Sequence, residues 1–119
     1  MRYLLLLRSV GEPLPPYGTP EYDELYAAYT AATGAMVDAG VMVDCAPLHP
    51  AGAATTVRVR RGETLLTDGP AAEIKEELGG YAVLDCADLD DALKWAATFP
   101  AAALASVEVR PVLVVEPRA

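Results

Sequence analysis

A short apolar run near the start of the chain constrains the fold most strongly. Residues 3–7 are all hydrophobic, Arg2 and Arg8 flank them, and Gly11 follows closely. Because the run is short and lacks polar alternation, it predicts a strand that is buried on both faces. Any fold of this chain must therefore supply an apolar layer on each side of that strand.

The rest of the chain alternates between helical and strand patterns. Thr19 and Pro20 are typical of a helix start, and apolar or small residues then recur at helical spacing as far as Gly40. Asp88 is a typical N-cap for a second helix, which Pro100 is expected to end. Strands are predicted at 41–46, 55–60, 64–67, 81–86 and 107–115, whereas 71–78 is interpreted as a helical turn or a structured loop.

The strand predicted at 55–60 alternates in polarity. Val57 and Val59 are expected on one face, with Arg58 and Arg60 on the other. This pattern is typical of a strand with one face in solvent. A turn at 61–63 would connect it to the short return strand as a hairpin.

The order of these elements predicts an α+β fold, a ferredoxin-like sandwich. In this architecture two helices pack on one face of an antiparallel sheet. No internal repeat or low-complexity segment interrupts the pattern. Residues 1–119 are therefore predicted to form a single domain.

The second face of the predicted sheet also needs a cover. The strands around Leu5, Val83 and Val112 carry apolar residues on both faces, although two helices can cover only one. The same face of a second copy is the simplest cover, so we predict a homodimer whose sheets pack face to face. A monomer with a few exposed aliphatic side chains is the alternative.

Charge and composition exclude several function classes. Nine basic residues stand against 17 acidic ones, and this net charge of −8 argues against nucleic acid as a partner. No apolar run approaches the roughly 20 residues that cross a bilayer, and the apolar start is too short for a signal-peptide core. We therefore predict a cytoplasmic protein that does not bind membranes. Cys45 and Cys86 are expected to be buried thiols, and with a single histidine no metal site or cofactor is predicted.

One segment resembles a known family signature. Residues 66–81, LTDGPAAEIKEELGGY, are similar to the signature of the YCII-related proteins, in the branch often called DGPF proteins, which reads approximately T-D-G-P-F-x-E-x-K-E-x-x-x-G-[YF]. The opening strand, the LHP segment at 48–50, the helix at 88–100 and the VEVRP segment at 107–111 also resemble this family. Ala71 stands where the pattern has Phe.

The resemblance implies a ferredoxin-like fold that forms a dimeric α/β barrel, with a cleft in each subunit. Some YCII-related proteins carry a His–Asp pair proposed as catalytic, with the histidine in the first helix. This chain has no histidine between Thr19 and Gly40, so only the aspartate, Asp68, is carried over.

Asp68 and His49 are the candidate catalytic residues. Asp68 is a candidate general base if it is partly buried, because desolvation favours the protonated carboxyl group; alternatively it caps its Asp-Gly turn. His49 is a candidate acid/base partner if its loop folds over the same cleft, and otherwise a surface histidine.

Four further residues are candidate substrate-binding residues. Glu73 and Lys75 lie in a charged run that would form either the lip of a cleft or a solvated face. Arg110, beside Glu108, can hold a carboxylate through two hydrogen bonds; alternatively it pairs with an acidic neighbour or with the second copy of the dimer. Tyr81 is the aromatic residue that ends the family signature.

Two functions from different classes follow. The first is binding or conversion of a small polar or anionic metabolite in a cleft near Asp68. If the protein is an enzyme, cofactor-free proton transfer of the isomerase or lyase type is expected. The second is a non-catalytic regulatory or interaction module that presents an acidic surface to a basic partner.

Overall fold

The computed structural model describes residues 1–10, 15–72 and 75–116, and its centre is a four-stranded antiparallel sheet. The strands β1 (Arg2–Val10) and β5 (Glu76–Asp85) pair in the middle, with β2 (Met42–Pro47) at one edge and β6 (Val107–Pro111) at the other. The strands β3 (Thr55–Arg60) and β4 (Glu63–Asp68) form a separate hairpin.

Side chains at the helix starts explain where the two longer helices begin. In α1 (Pro20–Asp38), the Thr19 hydroxyl accepts a hydrogen bond from the Tyr22 amide at 3.2 Å. In α2 (Leu89–Ala96), the Asp88 carboxylate accepts one from the Asp91 amide at 2.9 Å. Both predicted N-caps are thus confirmed.

The connections between these elements make two interlocked crossovers. β1 and β2 both run antiparallel to β5, so α1 connects two strands that point the same way. β5 and β6 both run antiparallel to β1, and α2 connects them together with α3 (Pro100–Leu104). The α+β prediction is confirmed, and the strand order is compatible with a ferredoxin-like sandwich.

The helices cover one face of the sheet. Alternate residues of β1 and β5 point to this side, and β1 Leu5 pairs with β5 Ala82 while both are fully buried. Phe99, at the start of α3, and Met36 of α1 fill the layer above them. The buried core consists of Tyr3, Leu5, Leu7, Ala32, Met36, Ala82, Leu84, Cys86, Ala92, Ala96, Phe99 and Ala101.

The other face of the sheet is only partly shielded. Leu4 lies opposite Val83, and Leu6 lies opposite Tyr81; all four side chains are half-buried. The radius of gyration is 16.6 Å, against roughly 13–14 Å for a compact domain of this length. The described chain is thus a thin slab with one well-covered and one open face.

Three sequence predictions about element bounds need correction. Pro100 begins α3 instead of simply ending the second helix, because its fixed φ suits the first helical turn. The last strand ends at Pro111, and the apolar residues 112–115 lie exposed beyond it. The segment predicted as a turn or loop at 71–78 is partly strand, since β5 begins at Glu76.

The burial of the side chains in the hairpin also differs from the expectation. Val57 and Val59 are exposed, whereas Arg58 is half-buried. The two strands of the hairpin pair only with each other, so no layer of the described chain covers the face with the valines. None of the helices in the described part of the chain combines the length and the apolar character that a membrane crossing requires.

The core predicts a clear stability difference between two apolar residues of the same region. Phe99→Ala is expected to lower the free energy of unfolding by about 3–5 kcal/mol, because it leaves a cavity between helices and sheet. The control Leu104→Ala, at a side chain that is 64% exposed, should change it by less than about 0.5 kcal/mol. Urea unfolding followed by circular dichroism measures both, and equal losses would contradict this description of the core.

Candidate functional site

A close approach between strands β2 and β5 positions the candidate site. Gly80 is buried, and a Cβ atom at this position would lie 3.0 Å from the Ala46 carbonyl oxygen. Glycine therefore allows β2 to pair closely with β5. Just beyond this pairing, the Leu48 amide donates to the Gly79 carbonyl at 2.9 Å. This bond fixes the start of the loop that carries His49.

A register shift in the central strands orients a basic side chain. The pairing of β1 with β5 shifts between Leu7 and Arg8, opposite Gly79. Arg8 follows this irregularity, and its side chain is only 20% exposed. Its guanidinium donates to the Glu108 carboxylate at 3.4 Å. A strand irregularity of this kind is a common way to redirect a functional side chain.

The Asp-Gly-Pro segment lies at the base of the hairpin. Asp68 pairs with Thr55 at the end of the ladder, and the Gly69 amide donates to the Ala54 carbonyl at 2.7 Å. The Thr56 hydroxyl donates to the Gly69 carbonyl, also at 2.7 Å. Gly69 has a φ of +96°, a conformation that favours glycine. These contacts hold the segment beside the loop of His49.

These elements enclose a cavity, which we name the hairpin cleft. Its volume is about 1050 Å³, near the upper end of the roughly 300–1,000 Å³ usual for small-molecule sites. It contains the basic side chains of Arg8 and Lys75 together with His49, and the acidic side chain of Glu77. The described lining residues are Arg8, Leu48, His49, Pro50, Ala51, Gly52, Ala53, Ala54, Gly69, Pro70, Ala71, Ala72, Lys75, Glu77 and Leu78.

The structure brings some of the predicted site residues together and separates others. His49 and Lys75 both line the hairpin cleft. Asp68 is exposed and does not line the cleft, although the next residue does. The Asp68 carboxylate makes no hydrogen bond or ion pair to a described residue. Glu73 lies outside the described residues. Glu77, within the segment 71–78 that was interpreted as a helical turn or a structured loop, belongs to β5.

Arg110 lies outside the hairpin cleft, on the edge strand β6. Its side chain is 69% exposed, and its Nε lies 3.8 Å from the Glu108 carboxylate. This long contact matches the predicted alternative of an acidic neighbour. Arg8 takes the place in the cleft that was expected of Arg110. In the sequence Arg8 is marked only as the residue that follows the apolar run. This position at the end of a strand is the one sequence feature that could have identified it as a candidate site residue.

The lining of a second cavity, which we name the helix cleft, includes Tyr81, although the Tyr81 side chain lies on the open face of the sheet, as does that of Leu6. This cavity, about 710 Å³ in volume, lies between α1 and the adjacent strands. The Tyr81 hydroxyl donates to the Asp44 carboxylate at 2.9 Å. This hydrogen bond, together with the negative charge of Asp44, raises the pKa of Tyr81. The described lining residues are Leu7, Arg8, Ser9, Tyr22, Leu25, Tyr26, Tyr29, Thr30, Thr33, Cys45, Ala46, Pro47, Leu48, His49, Pro50, Glu77, Leu78, Gly79, Gly80, Tyr81 and Phe99.

The two cysteines differ in environment. Cys86 is buried as predicted, and burial, followed by the nearby Asp91 carboxylate, raises the pKa of its thiol. The prediction for Cys45 is wrong: it is exposed, because it lies on the edge strand β2, and it lines the helix cleft. In the described ranges, no group of three or more His, Cys, Asp or Glu side chains is arranged to hold a metal ion.

Comparison with known proteins shows to which family the chain belongs. The model of the YCII-related domain matches residues 1–116. The chain belongs to the YCII-related family. An uncharacterised protein of Rhizobium meliloti (strain 1021) is similar to it, with 35% identity over 119 residues that cover 98% of this chain and 96% of the relative. The family resemblance is thus confirmed over nearly the whole chain, whereas the DGPF branch stays a prediction.

The contact between Tyr81 and Asp44 predicts a change in tyrosine ionisation. In Asp44→Ala the pKa of Tyr81 should fall, because the hydrogen bond and the negative charge that favour the neutral phenol are both removed. In the parent protein this hydrogen bond should be lost as the pH rises through the raised pKa. Tyrosine NMR, assigned with Tyr81→Phe, measures the titration. Asp38→Ala, at another exposed aspartate, is the control, and an unchanged Tyr81 titration in Asp44→Ala would contradict the assignment.

Proposed function

We propose that the protein binds a small anionic metabolite in the hairpin cleft. The observation that carries this proposal is the charge of the cleft. In a chain with a net charge of −8, the only histidine and two of the nine basic residues line one cavity. In the described lining the two basic side chains outnumber the one acidic side chain, that of Glu77. Such a local excess of positive charge attracts anions to the cleft, whereas the rest of an acidic protein repels them.

Each charged side chain of the cleft would contribute differently to the binding of an anion. Arg8 is largely shielded from solvent, so its attraction for an anion is less weakened by water than that of an exposed side chain. Glu108 accepts one hydrogen bond from its guanidinium, which has further N–H donors to offer an anion. Lys75 is exposed in the lining of the same cleft, where its flexible side chain can approach a ligand. Glu77 would disfavour a second negative charge, which supports a ligand with one anionic group.

If the bound metabolite is also converted, His49 is the proposed acid/base group and Asp68 its assistant at the rim. An imidazole gains and loses a proton near neutral pH without a cofactor. Asp68 lies one residue from the lining, and its exposure leaves its carboxylate open to a ligand or to another chain. The proposed reaction class is therefore cofactor-free proton transfer, of the isomerase or lyase type.

Acetate binding tests the proposal. Titration of acetate at constant ionic strength is expected to shift the backbone amide resonances of residues 48–54 and 69–72. Lys75→Gln should lower the affinity for acetate by about threefold, since an exposed charge contributes little to binding. Arg8→Gln should weaken it by about tenfold or more, since a shielded charge contributes more. Both follow from titrations monitored by NMR.

Two controls make this result interpretable. Lys94→Gln removes the other lysine, which lies on α2 away from the cleft, and should leave acetate affinity unchanged. Arg8→Lys keeps the charge and should retain most of the affinity, which separates loss of charge from loss of folding. Acetate shifts spread evenly over the surface, or equal effects of the two lysine variants, would overturn the proposal.

We also propose that the open sheet face pairs with the same face of a second copy. Support comes from the half-buried Leu4, Leu6 and Val83 on that face, which the helices do not cover. A slab of 48 × 46 × 20 Å would become a thicker, four-layered body by this pairing.

A single charge on the open face tests the dimer. The parent protein is expected to sediment as a dimer at micromolar concentration, and Leu6→Lys as a monomer, because an unpaired ammonium group cannot be buried between two sheets without a large cost. Leu104→Lys, at an exposed site on α3, should remain dimeric. A parent protein that sediments as a monomer would contradict the proposal.

A non-catalytic interaction module is the second candidate. Exposed apolar side chains along the hairpin favour it, among them Val57, Val59 and Leu66. The two candidates differ in the acetate titration, since a module without a ligand site would give no localised shifts. Cytoplasmic location stays a prediction for both.

A further inference from the structure

The hairpin cleft and the helix cleft share part of their lining. Six residues line both the hairpin cleft and the helix cleft: Arg8, Leu48, His49, Pro50, Glu77 and Leu78. They form a shared wall where the ends of β1 and β5 meet the loop after β2. Arg8 and His49 belong to this wall, so each of them borders both cavities.

The helix cleft offers a different chemistry from the hairpin cleft. Three tyrosines of α1 line it, and the rings of Tyr22 and Tyr26 are stacked with centroids 6.3 Å apart and planes at 10°. Tyr29 packs against Phe99 at a centroid distance of 6.2 Å on the inner side. These aromatic faces form an apolar wall whose hydroxyl groups supply polar points. Such a wall suits a flat hydrocarbon ring better than a small hydrophilic ion.

We propose that the ligand of this protein is an aryl carboxylate or a similar flat, unsaturated carboxylate. Its carboxylate would lie at the shared wall against Arg8 and His49, and its ring would extend along the tyrosines of the helix cleft. This inference rests on the anion site proposed above and specifies the body of the ligand. The juxtaposition of Arg8 and His49 with an aromatic cavity favours one molecule that carries both a single negative charge and a flat ring.

Three probes separate the two parts of the ligand. Acetate carries only the carboxylate, benzyl alcohol carries only the ring, and benzoate carries both. Dissociation constants follow from backbone amide shifts at constant ionic strength. Benzoate is expected to bind about tenfold or more tightly than either other probe, since it buries a ring in addition to pairing its charge. Its shifts should include residues of α1 as well as residues 48–54.

Two pairs of variants assign the contributions. Tyr26→Leu should weaken benzoate binding several-fold and leave acetate binding unchanged. The control Tyr17→Leu, at an 88% exposed tyrosine outside the helix cleft, should change the affinity for neither probe. Arg8→Lys should retain benzoate binding, and Arg8→Gln should weaken benzoate and acetate alike.

The outcomes distinguish this inference from the proposed function. Benzoate that binds no more tightly than acetate, with shifts confined to the hairpin cleft, overturns the inference and leaves the anion site standing. Absence of localised binding by both carboxylates overturns the anion site as well. Benzyl alcohol that binds as tightly as benzoate also overturns the inference, because the charge would then contribute nothing.

Discussion

The pairing of β1 with β5 is the interaction on which the rest of the structure depends. It joins the two most buried strands, and it places Leu5 beside Ala82 beneath the helices. The burial of this apolar layer is the main force that holds helices and sheet together. The same pairing gives the sheet a second apolar face, for which the described chain supplies no layer, and this imbalance underlies the proposed dimer.

The candidate site follows from the way this central pairing ends. The register shift after Leu7 turns Arg8 toward the clefts, and the missing side chain of Gly80 lets β2 approach closely enough to place His49 beside it. The hairpin is inserted between β2 and β5, so its base closes the same cavity from the other side. A positive cleft in an acidic chain is thus a result of strand geometry, since its basic residues are far apart in sequence.

The sequence predicted the parts of the fold that depend on local patterns. The caps at Thr19 and Asp88, the central strands and the α+β order are all visible in residue type and spacing. The neighbours of each side chain depend on tertiary pairing, so Arg8 was missed and Arg110 was expected in the cleft. Likewise Pro100 is compatible with both ending one helix and beginning another, and in the structure it begins α3.

The central claim is that His49, Arg8 and Lys75 share one anion site, and the single histidine of the chain allows a direct test. In a sample labelled with ¹³C-histidine the signal needs no assignment, because one imidazole gives one Cε1–H resonance. Acetate, but not chloride at equal ionic strength, is expected to shift this resonance saturably. Arg8→Gln should weaken the effect of acetate, and Lys94→Gln should leave it unchanged. A resonance that ignores acetate, or that responds equally to chloride, would contradict the account.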